Sequence, residues 1–181
     1  LRIADSRVPD PDPQSAIRNP QSTMRWIWID KFLEFQPGKR AVAIKNVTLA
    51  EEHLHDHWEA FPIMPTSLMI EGMAQTAGIL VGQARNFQEK VILAKIARAE
   101  VDELVCPGDQ LTYVAELETI TPEAAATKGT VLRNGTPAGR IDLMFSHIDR
   151  NLAGMEFPKE NFVFTGQFER LVAPLLGAAH G

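Results

Sequence analysis

The chain has a single cysteine among 181 residues, and Cys106 alone cannot close an intramolecular disulfide. A reducing compartment, the cytoplasm, is the expected setting. The segment Val105-Cys106-Pro107-Gly108 has the composition of a turn. It offers no neighbour that would activate a thiol, so a structural cysteine is expected. Basic charge is also scarce. Lys and Arg total 18 against 23 Asp and Glu, a net charge of −5. That balance argues against nucleic acid as the main partner, because phosphate binding needs a basic face. No basic docking patch is readable either. The first 23 residues lack the apolar core of a signal peptide. The longest apolar stretch, Ile63 to Gly82, is broken by Pro65, Thr66, Ser67, Glu71 and Gln75. A carboxylate at mid-bilayer is expensive, so this stretch reads as a buried helix and no membrane is expected.

What is present is an ordinary globular composition, 45% hydrophobic and 23% charged, long enough for one domain with a real core. Residues 1–23 are rich in Pro, Asp, Ser and Gln and show no periodicity, so a disordered extension is expected there. Met24 directly precedes the first structured-looking run, Arg25 to Phe35, which suggests a natural start at that point. Lys39 to Thr48 alternates apolar and polar residues as a half-buried strand does. The histidine-rich segment after it reads as a loop. A helix is expected to open near Pro65-Thr66-Ser67, with Thr66 or Ser67 capping its free amides, and to end near Arg85-Asn86. Its apolar residues occupy nearly all faces, so other elements should wrap it.

Strand patterns then follow over Val91–Val101, Leu111–Ile120, Thr127–Leu132 and Ala138–Ile148. Pro107-Gly108-Asp109 supplies one turn, and Asn134-Gly135 suits a type I′ hairpin. One long helix among five or six antiparallel strands predicts an α+β fold, with the sheet curled around its helix. Residues 24–149 are the expected domain. The tail, 150–181, carries Phe157, Phe162, Phe164 and Phe168 and a helical candidate over 165–176.

Three of the five histidines, His53, His55 and His57, recur at every second position. They would share one face of an extended segment, as zinc ligands must. The spacing is one residue short of the His-x-His-x-Asp-His pattern of metallo-hydrolases. The later histidines are His147 and His180, the second in a terminal stretch. Solvated loop histidines are therefore the expectation for His53 and His55, and no metal is expected. Glu71 is the sharper signal. An ionised carboxylate inside an apolar helix is costly, so it should be protonated, paired or both, unless it escapes to solvent or meets a buried Arg. Gln75 lies one turn on and can orient it. A neutral carboxyl is what a general acid requires. The helix start offers backbone amides at Thr66 and Ser67, suited to an oxygen gaining negative charge.

The stretch from His57 to Glu71, HWEAFPIMPTSLMIE, resembles the active-site block of the FabZ/FabA-type 3-hydroxyacyl-(acyl-carrier-protein) dehydratases. In that family a His-Phe-Pro-Gly-x-Pro-x-Met-Pro-Gly run leads into a helix bearing a catalytic carboxylate. Pro62, Met64 and Pro65 match, and Glu71-Gly72-Met73-Ala74-Gln75 resembles the run that follows. Similarity extends to Pro37-Gly38-Lys39-Arg40, Lys45-Asn46-Val47-Thr48, Pro107-Gly108-Asp109-Gln110-Leu111 and Leu143-Met144-Phe145. The resemblance implies the hotdog fold, an antiparallel sheet wrapped around a long central helix. It also implies His57 as base, Glu71 as acid and the Thr66 amide as enolate donor. Ser67, Gln75, Trp58 and Phe61 would complete the substrate site. No cofactor is implied. The implied partners are acyl carrier protein and a second copy of the chain, with His57 and Glu71 drawn from opposite protomers. The sequence departs from the pattern at Asp56, Trp58-Glu59-Ala60 and Thr66, where the family has glycines and Phe-Pro-Gly. Two alternatives stay open: a hotdog thioesterase using Glu71 alone, and a non-catalytic acyl-thioester-binding protein.

Overall fold

The structure is a computed structural model that describes residues 27–56, 61–148 and 173–174. The extension over 1–23 and almost all of the tail lie outside these residues. Of the helical candidate over 165–176, Ala173 and Pro174 are described, and both are helical and exposed.

The strand-patterned segments form strands, and the end of the first aromatic run adds another: β1 (Lys31–Gln36), β2 (Arg40–Asn46), β3 (Val91–Val101), β4 (Gln110–Ile120), β5 (Ala124–Arg133) and β6 (Thr136–His147). Two helices, α1 (Glu52–Asp56) and α2 (Thr66–Ala84), lie between β2 and β3. All six strands form one antiparallel sheet in the order β1-β2-β4-β5-β6-β3. The β5–β6 hairpin turns at Asn134 and Gly135, whose φ angles of 51° and 83° are the positive pair that a type I′ turn requires. Among the described residues, no helix is long and apolar enough to cross a membrane.

One face of the sheet supplies half the core. Leu111, Tyr113 and Ala115 of β4 are wholly buried and alternate with half-buried Thr112 and Val114. Val131, Ile141, Leu143 and Phe145 continue that face across β5 and β6. Against it packs α2, through Met69, Met73, Ala77 and Leu80. Burying such side chains stabilises by about 1.5–3 kcal/mol each, which is why this helix folds against the sheet despite an uncapped start. From Gln75 to Gly82 nearly every residue of α2 is buried, as its all-round apolar character led us to expect. The helix ends at Arg85, and Phe87 closes it with an amide bonded to the Gly82 carbonyl at 2.8 Å.

The β3–β4 connection is organised by a buried carboxylate. Asp109 accepts from the Cys106 amide at 2.8 Å, Arg133 Nε at 2.9 Å and Asn134 Nδ2 at 2.7 Å. Burial opposes its charge, but those donors and the Arg133 charge outweigh burial and hold the Asp109 pKa below the usual carboxylate value. Cys106 therefore sits in a cross-linked turn, as its setting implied.

At Gly72 the helix meets β4 most closely. A Cβ there would lie 2.6 Å from Cζ and the hydroxyl oxygen of Tyr113, a side chain with no room to move. At Gly78 a Cβ would meet Phe145 at 3.5 Å, an ordinary contact. Chemical denaturation should find Gly72→Ala destabilised by about 1–3 kcal/mol through overpacking. Gly78→Ala should instead gain about 0.5–1 kcal/mol from the lower backbone entropy of its unfolded chain.

Candidate active site

With a period of 3.6 residues, Ser67, Glu71 and Ala74 fall on one side of α2, away from the sheet. Ser67 is exposed, while Ile70, Glu71, Ala74 and Gly78 are half-buried. Glu71 is thus half-buried in the single chain, not enclosed as its apolar sequence context implied. The reason is geometric: the sheet covers the opposite side of the helix. Its hydrogen-bond partner is Gln75, whose Nε2 donates to Glu71 Oε1 at 2.9 Å. Gln75 is itself buried and accepts at Oε1 from the backbone N–H of Trp28, 2.8 Å away.

The helix start differs from expectation. Pro65 is the N-cap and no side chain caps the helix among the described residues. Thr66 and Ser67 are its first two residues, both exposed. Pro65 has already turned its carbonyl to the amides of Leu68 and Met69. The amides of Thr66 and Ser67 make no hydrogen bond among the described residues. They stand at the positive end of the helix dipole, one turn before Glu71. The lead-in is anchored by the Met64 amide on the Val105 carbonyl at 2.8 Å, and Phe61 lies 52% exposed. His57 and Trp58 lie outside the described residues.

Residues 19–136 match the FabA-like domain family. The chain belongs to this family of hotdog dehydratases. The 3-hydroxyacyl-(acyl-carrier-protein) dehydratase FabZ of Caldanaerobacter subterraneus subsp. tengcongensis is 36% identical over 121 residues, 66% of this chain and 86% of that protein. FabZ of Clostridium acetobutylicum is 36% identical over 118 residues, covering 65% and 84%. The fold is shared with the dehydratase heterocomplex ApeI:P of Xenorhabdus doucetiae, at a TM-score of 0.54 and 15% identity, covering 67% of this chain and 83% of that one. Membership in the FabA-like family makes the protein a dehydratase-type enzyme of acyl-thioester chemistry.

This FabA-like chain has features around its acid that sequence reasoning missed. His53 and His55 lie on α1, not in a loop. Nor is His53 solvated. It packs edge-on against Trp28 with ring centroids 5.0 Å apart and planes at 76°. Beneath it, the buried Lys45 ammonium pairs with Glu51 and lies 3.4 Å from Asp30. Only the aromatic character of the Arg25–Phe35 run hinted at a role for Trp28. His147 is wholly buried, with Nδ1 2.9 Å from Glu89 Oε2 and 3.1 Å from the Pro122 carbonyl.

Burial pushes the His53 imidazole below its ordinary 6.5, opposed by the Glu51 charge and reinforced by Lys45. The unfolded chain therefore takes up this proton more readily than the folded one. The associated stability is complete above about pH 6.5 and is lost as pH falls through the lower folded value. Unfolding free energies measured across this window should decline with acidification in wild type and decline less in His53→Phe.

Proposed function

We propose that the protein dehydrates (3R)-3-hydroxyacyl thioesters, carried on acyl carrier protein, to trans-2-enoyl thioesters. The observation that carries this reading is the Glu71 carboxyl: half-buried on the open side of α2, held at one oxygen by Gln75, and one turn along the helix from the Thr66 and Ser67 amides, which make no hydrogen bond among the described residues. Its 36% identity to FabZ proteins supports the same step. His57 takes the proton from the carbon beside the thioester. The carbonyl oxygen gains negative charge as the enolate forms, and the Thr66 amide donates to it. Glu71 gives its proton to the departing hydroxyl, which leaves as water. Proton transfer back from His57 to Glu71 resets the site.

The stripe Ser67, Ile70, Glu71 and Ala74 needs a cover that the chain's own sheet does not provide. A second protomer is the proposed cover, joined along β3. That strand is one of the sheet's two edges, and Leu93 and Ile96 stand 39% and 46% exposed on it. A long apolar edge left open is a template for pairing. Each site would then combine His57 of one copy with Glu71 of the other, in the cytoplasm where acyl carrier protein delivers the substrate.

Incubation with 3-hydroxyacyl thioesters of acyl carrier protein and of N-acetylcysteamine, read by mass spectrometry, should yield the enoyl product. His57→Ala and Glu71→Gln should each lower kcat by about 10²–10⁴. Release of free thiol by the His57→Ala variant would instead make the protein a thioesterase. Tight acyl-carrier binding without product would make it a binding protein. Refolding the two variants together tests the shared site. If base and acid come from opposite copies, mixed dimers keep one intact site and about a quarter of wild-type activity returns. No recovery would put both groups in one chain.

A further inference from the structure

Gln75 bridges two groups with opposite demands. Its Oε1 faces the Trp28 backbone N–H at 2.8 Å and its Nε2 faces Glu71 Oε1 at 2.9 Å. A peptide N–H can only donate, so the carboxamide must turn its carbonyl toward Trp28. Its NH2 end is thereby committed to Glu71, and the facing carboxyl oxygen must accept. In a neutral carboxyl the carbonyl oxygen is the better acceptor, so Oε1 takes that role and the hydroxyl falls on Oε2. A main-chain amide 47 residues away thus selects which oxygen carries the acid proton.

Trp28 is held in turn. Its ring meets His53 edge-on, and the His53 side chain is only 19% exposed. His53 stands on α1, next to Glu51, which pairs with buried Lys45 of β2. Asp30 receives the Asn46 amide at 2.7 Å, and its own amide reaches the Ile44 carbonyl at 2.7 Å, so the segment carrying Trp28 is stitched to β2 as well. Building on the dehydratase reading, we propose that Trp28, buttressed by His53, fixes the polarity of Gln75 and confines the acid proton of Glu71 to Oε2. Gln75, Trp28 and His53 are then positioning residues for proton delivery.

Two variants of Gln75 separate polarity from packing. Gln75→Met keeps the length and loses both hydrogen bonds. Gln75→Glu still accepts from Trp28 but, when ionised, cannot donate to Glu71. Both should lower kcat about ten-fold or more at neutral pH, with KM changed less than about two-fold. Only Gln75→Glu should recover as pH falls, because a proton shared between the two carboxyls replaces the lost N–H. His53→Ala should lower kcat a few-fold, roughly the worth of one aromatic contact, and His53→Phe should restore it. Hydrogen exchange at the Trp28 amide gives a reading independent of turnover. It should be slow in wild type and in Glu71→Ala, and faster in Gln75→Met. Wild-type kcat and pH profile in both Gln75 variants would overturn the proposal, as would failure of His53→Phe to restore what His53→Ala loses. If the wild type dehydrates no substrate while the exchange pattern holds, the dehydratase reading falls and the Trp28–Gln75–Glu71 geometry stands.

Discussion

The contact of α2 with β4 at Gly72 and Tyr113 sets the rest of the structure. An aromatic ring buried this deeply brings a large apolar area and a rigid shape. The helix can approach it only because position 72 has no side chain. That close approach fixes the rotation of α2 about its axis. Met69, Met73, Ala77 and Leu80 then turn to the sheet, and Glu71 and Ala74 turn away from it. The place of the carboxyl is thus a consequence of packing a helix on a sheet. It needs no special device of its own.

A carboxyl in that position must be oriented, and the means lie outside the core. Gln75 is buried and satisfied at both ends of its amide, which a side chain in this setting requires. One partner is a main-chain N–H, which can only donate, so it sets the direction of the carboxamide. The ionic group Lys45, Glu51 and Asp30 stitches the segment before β1, the strand β2 and the approach to α1 into one block. A buried ammonium costs several kcal/mol unless paired, so Lys45 gathers carboxylates around itself. Those carboxylates add to burial in raising the pKa of Tyr113, keeping its phenol neutral in the core.

In the proposed dimer, the open side of α2 and the edge strand β3 would be two parts of one surface that a single chain leaves unfinished. Each exposes apolar groups that a lone chain leaves half in water. Such surfaces are stable when another element covers them. The acid lies on this unfinished side, so catalysis in the proposed reading depends on assembly and on the acyl chain that fills the slot.

The sequence by itself determined the strands, because alternation over β2, β4, β5 and β6 is a local property of period two. Asn134-Gly135 determined its hairpin for the same reason, and apolar character on nearly all faces marked the extent of α2. The family was legible from the stretch that runs into Glu71, and the pairing of Glu71 with Gln75 from their helical spacing. Tertiary structure alone decided the rest. Five residues are too few for helical periodicity to register, so α1 was invisible beside its alternating histidines. The exposure of Glu71 depended on which side of α2 the sheet covers, which an all-round apolar helix does not declare. The burial of His53 and the amide that orients Gln75 depend on contacts across 25 and 47 positions. Such contacts exist only once β1, β2 and α2 have packed, and no spacing in the chain encodes them.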